Sequence, residues 1–353
     1  MMNYNCLIML FAAALALSAC KPEETISRSL VPKEELPKYE LEAVVQESKL
    51  YEGLPSASGI EANGNMEGYF VVGDDSPYLY QLDEEFNVIN ELPLFDTSGF
   101  INGRIPKAAK PDLESMARFR YGRDEYLLLL GSGSSPARNR AFLVNLSEEM
   151  AVKEVDLSRF YLFLRKILQI EEEGVLNLEG LAIGETYTYL MQRGVGADTN
   201  ALFRFETDDF VGYLINDAEL PIAALYYFEL PLSGQVQAGF SGAYVSEEKL
   251  FFTASAEDTA NAIEDGEVVG SYLGVIDLRS LPYATSPAKP LPIAASLIRN
   301  QDGTVYKGKA ESLVVEKLDD KAYKVIVVSD DDLGGSELLE VLLRLEEVEP
   351  DEV

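Results

Sequence analysis

Beyond residue 38 the chain alternates short apolar runs with clusters of Gly, Asp, Asn and Ser, a pattern of strands separated by turns. The runs at 69–72, 126–130, 187–190, 250–253 and 323–328 are rich in β-branched, aromatic and leucine side chains. They predict a mainly β protein. One stretch, 156–168, departs from this texture, because Phe160, Phe163, Leu164 and Ile167 recur at helical spacing. It predicts one short inserted helix near 157–168.

The runs belong to a repeat. Ser58-Gly59-Ile60, Glu114-Ser115-Met116, Glu179-Gly180-Leu181, Ser241-Gly242-Ala243 and Glu311-Ser312-Leu313 align at spacings of 56, 65, 62 and 70 residues. Each triplet opens an apolar strand, a tight turn follows, and a second, stronger strand ends in a small or acidic cluster such as Gly73-Asp74-Asp75 or Ser329-Asp330-Asp331-Asp332. A third strand follows in several units. Five meanders of about 60 residues predict an all-β propeller, five-bladed by this count. The irregular segments 94–110 and 208–232 leave room for a sixth blade, and a two-domain β-sandwich is the alternative. Apolar runs at 41–45 and 337–343 would share one sheet and close the ring, leaving no sheet edge between the first and last units.

Residues 1–20 form an uncharged apolar leader closed by small residues, too short to span a bilayer. Its last four residues, Leu17-Ser18-Ala19-Cys20, resemble the lipobox of bacterial lipoproteins. That resemblance implies a signal peptide over 1–20 and a diacylated Cys20 as the new N-terminus. A charged, Pro-containing tether over 21–38, a domain over 39–348 and an acidic tail over 349–353 would follow. The expected location is the cell envelope, with the membrane as a partner through the lipid. Lys21 in place of Asp after the cysteine favours the outer over the inner membrane by the same resemblance.

Charge and missing residue types narrow the chemistry. With 60 acidic against 29 basic residues the formal charge is −31, which sets nucleic acid aside as a partner and offers carboxylates to a hard cation such as Ca²⁺. The sequence has no His, so Ser-His-Asp, Cys-His and His-ligated metal sites are excluded. Its two cysteines are Cys6 in the leader and Cys20, so the expected mature chain has no disulfide.

In a propeller the first strand of each blade lines the channel, and an antiparallel hairpin returns the end of the second strand to the face where the first began. That face should gather Glu114, Glu179 and Glu311, with Ser58 and Ser241 at equivalent positions, and around them Asp74, Asp75, Glu257, Asp258, Asp330, Asp331 and Asp332 with the basic residues Lys110, Arg138, Arg140 and Arg193. The glutamates either cap backbone amides of adjacent blades or ligate a Ca²⁺ ion, since converging carboxylates repel unless neutralised. The four basic residues either pair with the acidic rim or hold an anionic small molecule.

The segments 106–116, 130–138, 178–182, 253–258 and 310–313 resemble an uncharacterised bacterial β-propeller family. Glu179-Gly180-Leu181-Ala182 also resembles a motif of phytase-like esterase propellers. These likenesses imply the fold and mark the loops without naming a substrate. Two functions follow as expectations: a binding module for a ligand or an envelope protein, or a metal-dependent hydrolase of an anionic ester. If Cys20 is the acylated residue, Cys20→Ser abolishes fatty-acid labelling and leaves the precursor unprocessed, as read by metabolic labelling and membrane fractionation.

Overall fold

The recurring apolar runs fold into five antiparallel meanders of four strands each. A computed structural model describes residues 38–348 except 65, 97–104, 107–108, 172–173, 195–198, 260–265, 283–284 and 331–334. The leader with Cys20, residues 21–37 of the tether, the acidic tail, Asp331 and Asp332 lie outside the described residues.

The first described strand is β1 (Lys38–Tyr51). Unit one follows as β2 (Ala57–Ala62), β3 (Tyr69–Gly73), β4 (Tyr78–Leu82) and β5 (Val88–Pro93). Unit two is β6 (Leu113–Tyr121), β7 (Asp124–Gly131), β8 (Arg140–Asn145) and β9 (Ala151–Asp156), after which comes helix α1 (Ser158–Leu168). Unit three is β10 (Leu178–Ile183), β11 (Tyr187–Gln192), β12 (Asn200–Glu206) and β13 (Ala224–Glu229), with helix α2 (Thr207–Asn216) between its last two strands. A two-residue pair, β14 (Leu232–Ser233) and β15 (Val236–Gln237), leads into unit four. That unit is β16 (Gly239–Ser246), β17 (Lys249–Asp258), β18 (Glu267–Asp277) and β20 (Ala294–Arg299), while the short β19 (Leu291–Pro292) adds to unit three. Unit five is β21 (Lys309–Lys317), β22 (Ala322–Asp330), β23 (Ser336–Val348) and, from the other end of the described chain, β1.

The first strands β2, β6, β10, β16 and β21 touch one another in a closed cycle, each packed between the first strands of its two neighbours. Apolar side chains fill the spaces between units; Phe70, Met116, Leu127 and Phe142, for example, pack between units one and two. The cycle is closed by β1, which pairs antiparallel with β23 from Lys38↔Val348 to Tyr51↔Ser336. Ser336 fastens the seam, because its hydroxyl donates to Leu54 O (2.6 Å) and accepts from Ala57 N (2.8 Å).

Helix α1 falls where its spacing predicts, burying Phe160, Tyr161 and Leu164 and ending at Gln169 in the left-handed region. Helix α2 is a correction to the expectation for 208–232: Phe210, Val211, Tyr213 and Leu214 make one buried face. Phe160 meets Phe210 and Tyr213 at ring distances of 5.8 and 5.7 Å, so the two helices share an aromatic cluster over units two and three. No helix among the described residues is long and apolar enough to cross a membrane.

The repeat triplets acquire a backbone meaning here. Each first strand shifts register at its triplet: between Ala57 and Gly59, Leu113 and Ser115, Leu178 and Gly180, Phe240 and Gly242, and Ala310 and Ser312. The residues left without a partner are Ser58, Glu114, Glu179, Ser241 and Glu311. A bulge of this kind bends the strand and re-aims the extra side chain. The glycine next in line permits close approach; a Cβ on Gly242 would lie 2.5 Å from Glu311 O and 2.7 Å from Ser312 Cα. Gly242→Ala should therefore cost about 1–3 kcal/mol through overpacking. Gly53→Ala, with nothing within 4 Å of its Cβ, should stay within about 0.5 kcal/mol of the parent in a denaturant titration.

Candidate functional site

Where the bulged residue is serine, it ties neighbouring units together. The Ser58 hydroxyl donates to Leu113 O of unit two, and Ser241 Oγ donates to Ala310 O of unit five at 2.5 Å. This is the stitching role that one reading of the sequence gave to the glutamates. Among the described residues, no backbone amide donates to the carboxylates of Glu114, Glu179 or Glu311. Glu179 and Glu311 are buried, whereas Glu114 keeps partial exposure.

On one side of Glu114 the carboxylates crowd. Asp74, Asp112 and Glu114 each offer one oxygen, and the three lie within 4.8 Å of one another. Lys110 Nζ pairs with Asp74, with Asp75 Oδ1 at 2.9 Å and with Asp112 Oδ1 at 3.5 Å. Asp112 Oδ2 is held by Arg138 Nη1 at 2.6 Å and accepts from Ser132 Oγ at 2.5 Å. Arg138 is itself braced by donating to Ser134 Oγ at 2.7 Å. Asp74 Oδ1 is buried without a hydrogen-bond partner. Asp112 adopts a φ of 54°, a left-handed conformation that Asp tolerates better than most residues.

On the other side the charges alternate along an arc. Glu311 Oε1 pairs with Lys309 Nζ at 2.9 Å, Lys309 with Glu257 Oε1 at 3.2 Å, and Glu257 Oε1 with Arg193 Nη2 at 2.8 Å. Arg193 Nη1 then stands 4.0 Å from Glu179 Oε2, and Glu179 Oε1 accepts from Asn177 Nδ2 at 2.6 Å. Arg193 Nη1 and Glu311 Oε2 are both buried without a hydrogen-bond partner.

Seven carboxyls (Asp74, Asp75, Asp112, Glu114, Glu179, Glu257 and Glu311) thus share this end of the ring with four cations: Lys110, Arg138, Arg193 and Lys309. Burial pushes the Glu114 carboxyl well above its ordinary range, and the charges of Glu179, Asp112, Asp74 and Glu311 push it further. Burial also lifts Glu311 to about 8 and Asp74 to about 6, against the opposing pull of Lys309 and Lys110 respectively. Glu179 is raised by burial despite Arg193 and Lys309. Glu257 is pushed up by burial too, yet Arg193 and Lys309 together hold it below its ordinary value.

The residues expected from the sequence divide accordingly. Glu114, Glu179 and Glu311 do feel one another's charge, but they are not the set with metal-ligand spacing, since Arg193 and Asn177 engage Glu179 and Lys309 engages Glu311. Among the described residues, the set with that spacing is Asp74, Asp112 and Glu114. Lys110, Arg138 and Arg193 reach the site, each already paired with a carboxylate. Arg140 does not: it opens β8 and pairs with Glu154 on the outer strand β9 at 3.1 Å. Sequence reasoning missed Asp112 and Lys309. A positional signal existed, for each precedes its bulged glutamate by two residues, as Asn177 precedes Glu179.

A ring of four-stranded meanders, with the first and last described strands sharing one sheet, defines a β-propeller. Within that class the chain belongs to a family of unknown function, DUF6929, whose profile matches residues 53–343. No curated protein matches the sequence. Among solved structures it is similar to the glutaminyl cyclase of Myxococcus xanthus, with a TM-score of 0.43 and 15% identity over 87% of this chain and 97% of that one. The Bacillus subtilis arabinanase Arb43A follows with a TM-score of 0.41 and 9% identity, over 85% of this chain and 96% of that one. An exo-1,5-α-L-arabinanase from a bovine ruminal metagenomic library has a TM-score of 0.42 and 9% identity, over 86% of this chain and 94% of that one.

The raised carboxyls set a pH dependence. Glu311 titrates near 8 in the folded chain against an ordinary 4.5, so the folded state keeps a proton that the unfolded state loses. Its contribution to stability is complete below about pH 4.5 and is lost as pH rises through about 8. In chelated protein, thermal stability should fall across that window, and Glu311→Gln, a mimic of the protonated carboxyl, should flatten the fall.

Proposed function

We propose that this protein is a lipid-anchored envelope propeller that binds a divalent cation of the Ca²⁺ type at the mouth of its channel and uses it to hold a ligand. The anchor rests on the lipobox-like Leu17-Ser18-Ala19-Cys20. The cation rests on one observation: three carboxylate oxygens, from Asp74, Asp112 and Glu114, lie within 4.8 Å of one another, and Asp74 Oδ1 is buried with no hydrogen-bond partner. Oxygens bound to one Ca²⁺ at about 2.4 Å each are at most about 5 Å apart. Ion pairing of Asp74 with Lys110 and of Asp112 with Arg138 orients these carboxylates, as outer partners of metal ligands commonly do. A dication would also relieve the mutual repulsion that raises Glu114.

Binding is preferred to hydrolysis of an anionic ester because the cations that would clamp an anion are committed to carboxylates. A saturating cation, at about a hundred times its Kd, should add about 2.7 kcal/mol to the stability of the detergent-solubilised full chain. Calorimetry with and without chelator should show that increment lost in Asp74→Asn and retained in Glu179→Gln. A chain whose melting ignores Ca²⁺ and chelator alike would count against the cation.

A further inference from the structure

We infer that the arc of Glu179, Arg193, Glu257, Lys309 and Glu311 recognises hydroxyl groups, and that the ligand of this site is a neutral polyol or sugar. This inference rests on the mouth of the channel being the ligand site and names the chemistry its second half accepts. Two buried polar atoms there lack a hydrogen-bond partner: Arg193 Nη1, a donor whose only near neighbour is Glu179 Oε2 at 4.0 Å among the ion pairs of the described residues, and Glu311 Oε2. Their side chains are only 6% and 5% exposed, so bulk water does not readily compensate them. Such atoms are rare in folded proteins and commonly mark an ion, a water or a ligand group.

The charge pattern selects among ligand groups. An ammonium group would satisfy Glu311 Oε2 but would meet Lys309 and Arg193, and it has nothing to accept from Arg193 Nη1. A phosphate or carboxylate would accept from Arg193 but would compete there with the Glu257 carboxylate, which Arg193 and Lys309 hold ionised. A hydroxyl both donates and accepts from one oxygen. The 4.0 Å between Arg193 Nη1 and Glu179 Oε2 is too long for a direct hydrogen bond, yet one oxygen about 2.8 Å from each spans it. On the far side of Glu114, a Ca²⁺ held by three carboxylates would keep further coordination positions that hydroxyl oxygens fill. A molecule with several adjacent hydroxyls therefore addresses both halves together. Lys309, with a side chain 20% exposed, and the partly open Glu114 leave the arc reachable from the channel.

The test uses the full chain in a detergent without a sugar headgroup, loaded with Ca²⁺, titrated by calorimetry with D-glucitol and myo-inositol and, separately, with inorganic phosphate and n-butylammonium. At least one polyol should bind, and more tightly than either ion. Arg193→Lys, which keeps the charge beside Glu257 but removes the guanidinium fork, should weaken that polyol about tenfold or more, as should Glu311→Ala, which removes both carboxyl oxygens whatever their protonation. Neither variant should change Ca²⁺ affinity more than about twofold, because neither residue belongs to the cation trio. Tighter binding of phosphate or butylammonium overturns the inference, as does absence of polyol binding by the parent chain, or polyol affinity unchanged in both variants. Polyol binding that persists without Ca²⁺, and is lost in the variants, upholds the hydroxyl site while removing the cation from the reading.

Discussion

Five strands packed side by side around one axis leave little room for side chains between their backbones, and the rest of the molecule follows from how that crowding is relieved. Each first strand takes one extra residue as a bulge, and the next position is glycine in three units and serine in two. The extra residue is then free of the ladder. In two units it is a serine that bonds to another unit's carbonyl; in three it is a glutamate whose charge acts on the other two. Packing and chemistry thus share one backbone device.

The three glutamates create an electrostatic debt that the surrounding residues settle unevenly. Lys309 and Arg193 bring the arc close to balance and hold Glu257 ionised, whereas Glu114 has acidic neighbours on both sides. Natural cores rarely keep an unpaired carboxyl without a compensating proton, cation or ligand. The asymmetry divides the mouth into a pole suited to a hard cation and a pole suited to hydrogen bonding, with Glu114 between them.

Much of this was readable before the fold was known, and the limits have physical causes. The triplets, the helix at 157–168 and the sharing of a sheet by the chain's two ends all leave periodic or repeated traces, because they are set by local pattern and register. That each triplet is a bulge does not show in the sequence, since a register shift is a property of backbone pairing. Helix α2 escaped notice because its apolar face sits among acidic and loop-like neighbours and is completed by contact with α1 and with Phe205 of β12. Arg140 was misplaced and Asp112 overlooked for a shared reason: sequence distance from a motif says little about which way a side chain leaves its strand. Asp112 reaches the site through a left-handed backbone turn, and Arg140 turns toward the outer strand.

The seam between β1 and β23 has a topological consequence. Lys38 stands opposite Val348 as the last pair of that ladder, so the described chain starts and stops at one point on the rim. A short linker joining those two positions would make the backbone an endless loop, and a new opening could be cut in an exposed hairpin between other units. The order in which the units are read along the gene is then a convention of where the circle was opened, while the neighbours of Glu114 remain the same in every permutation.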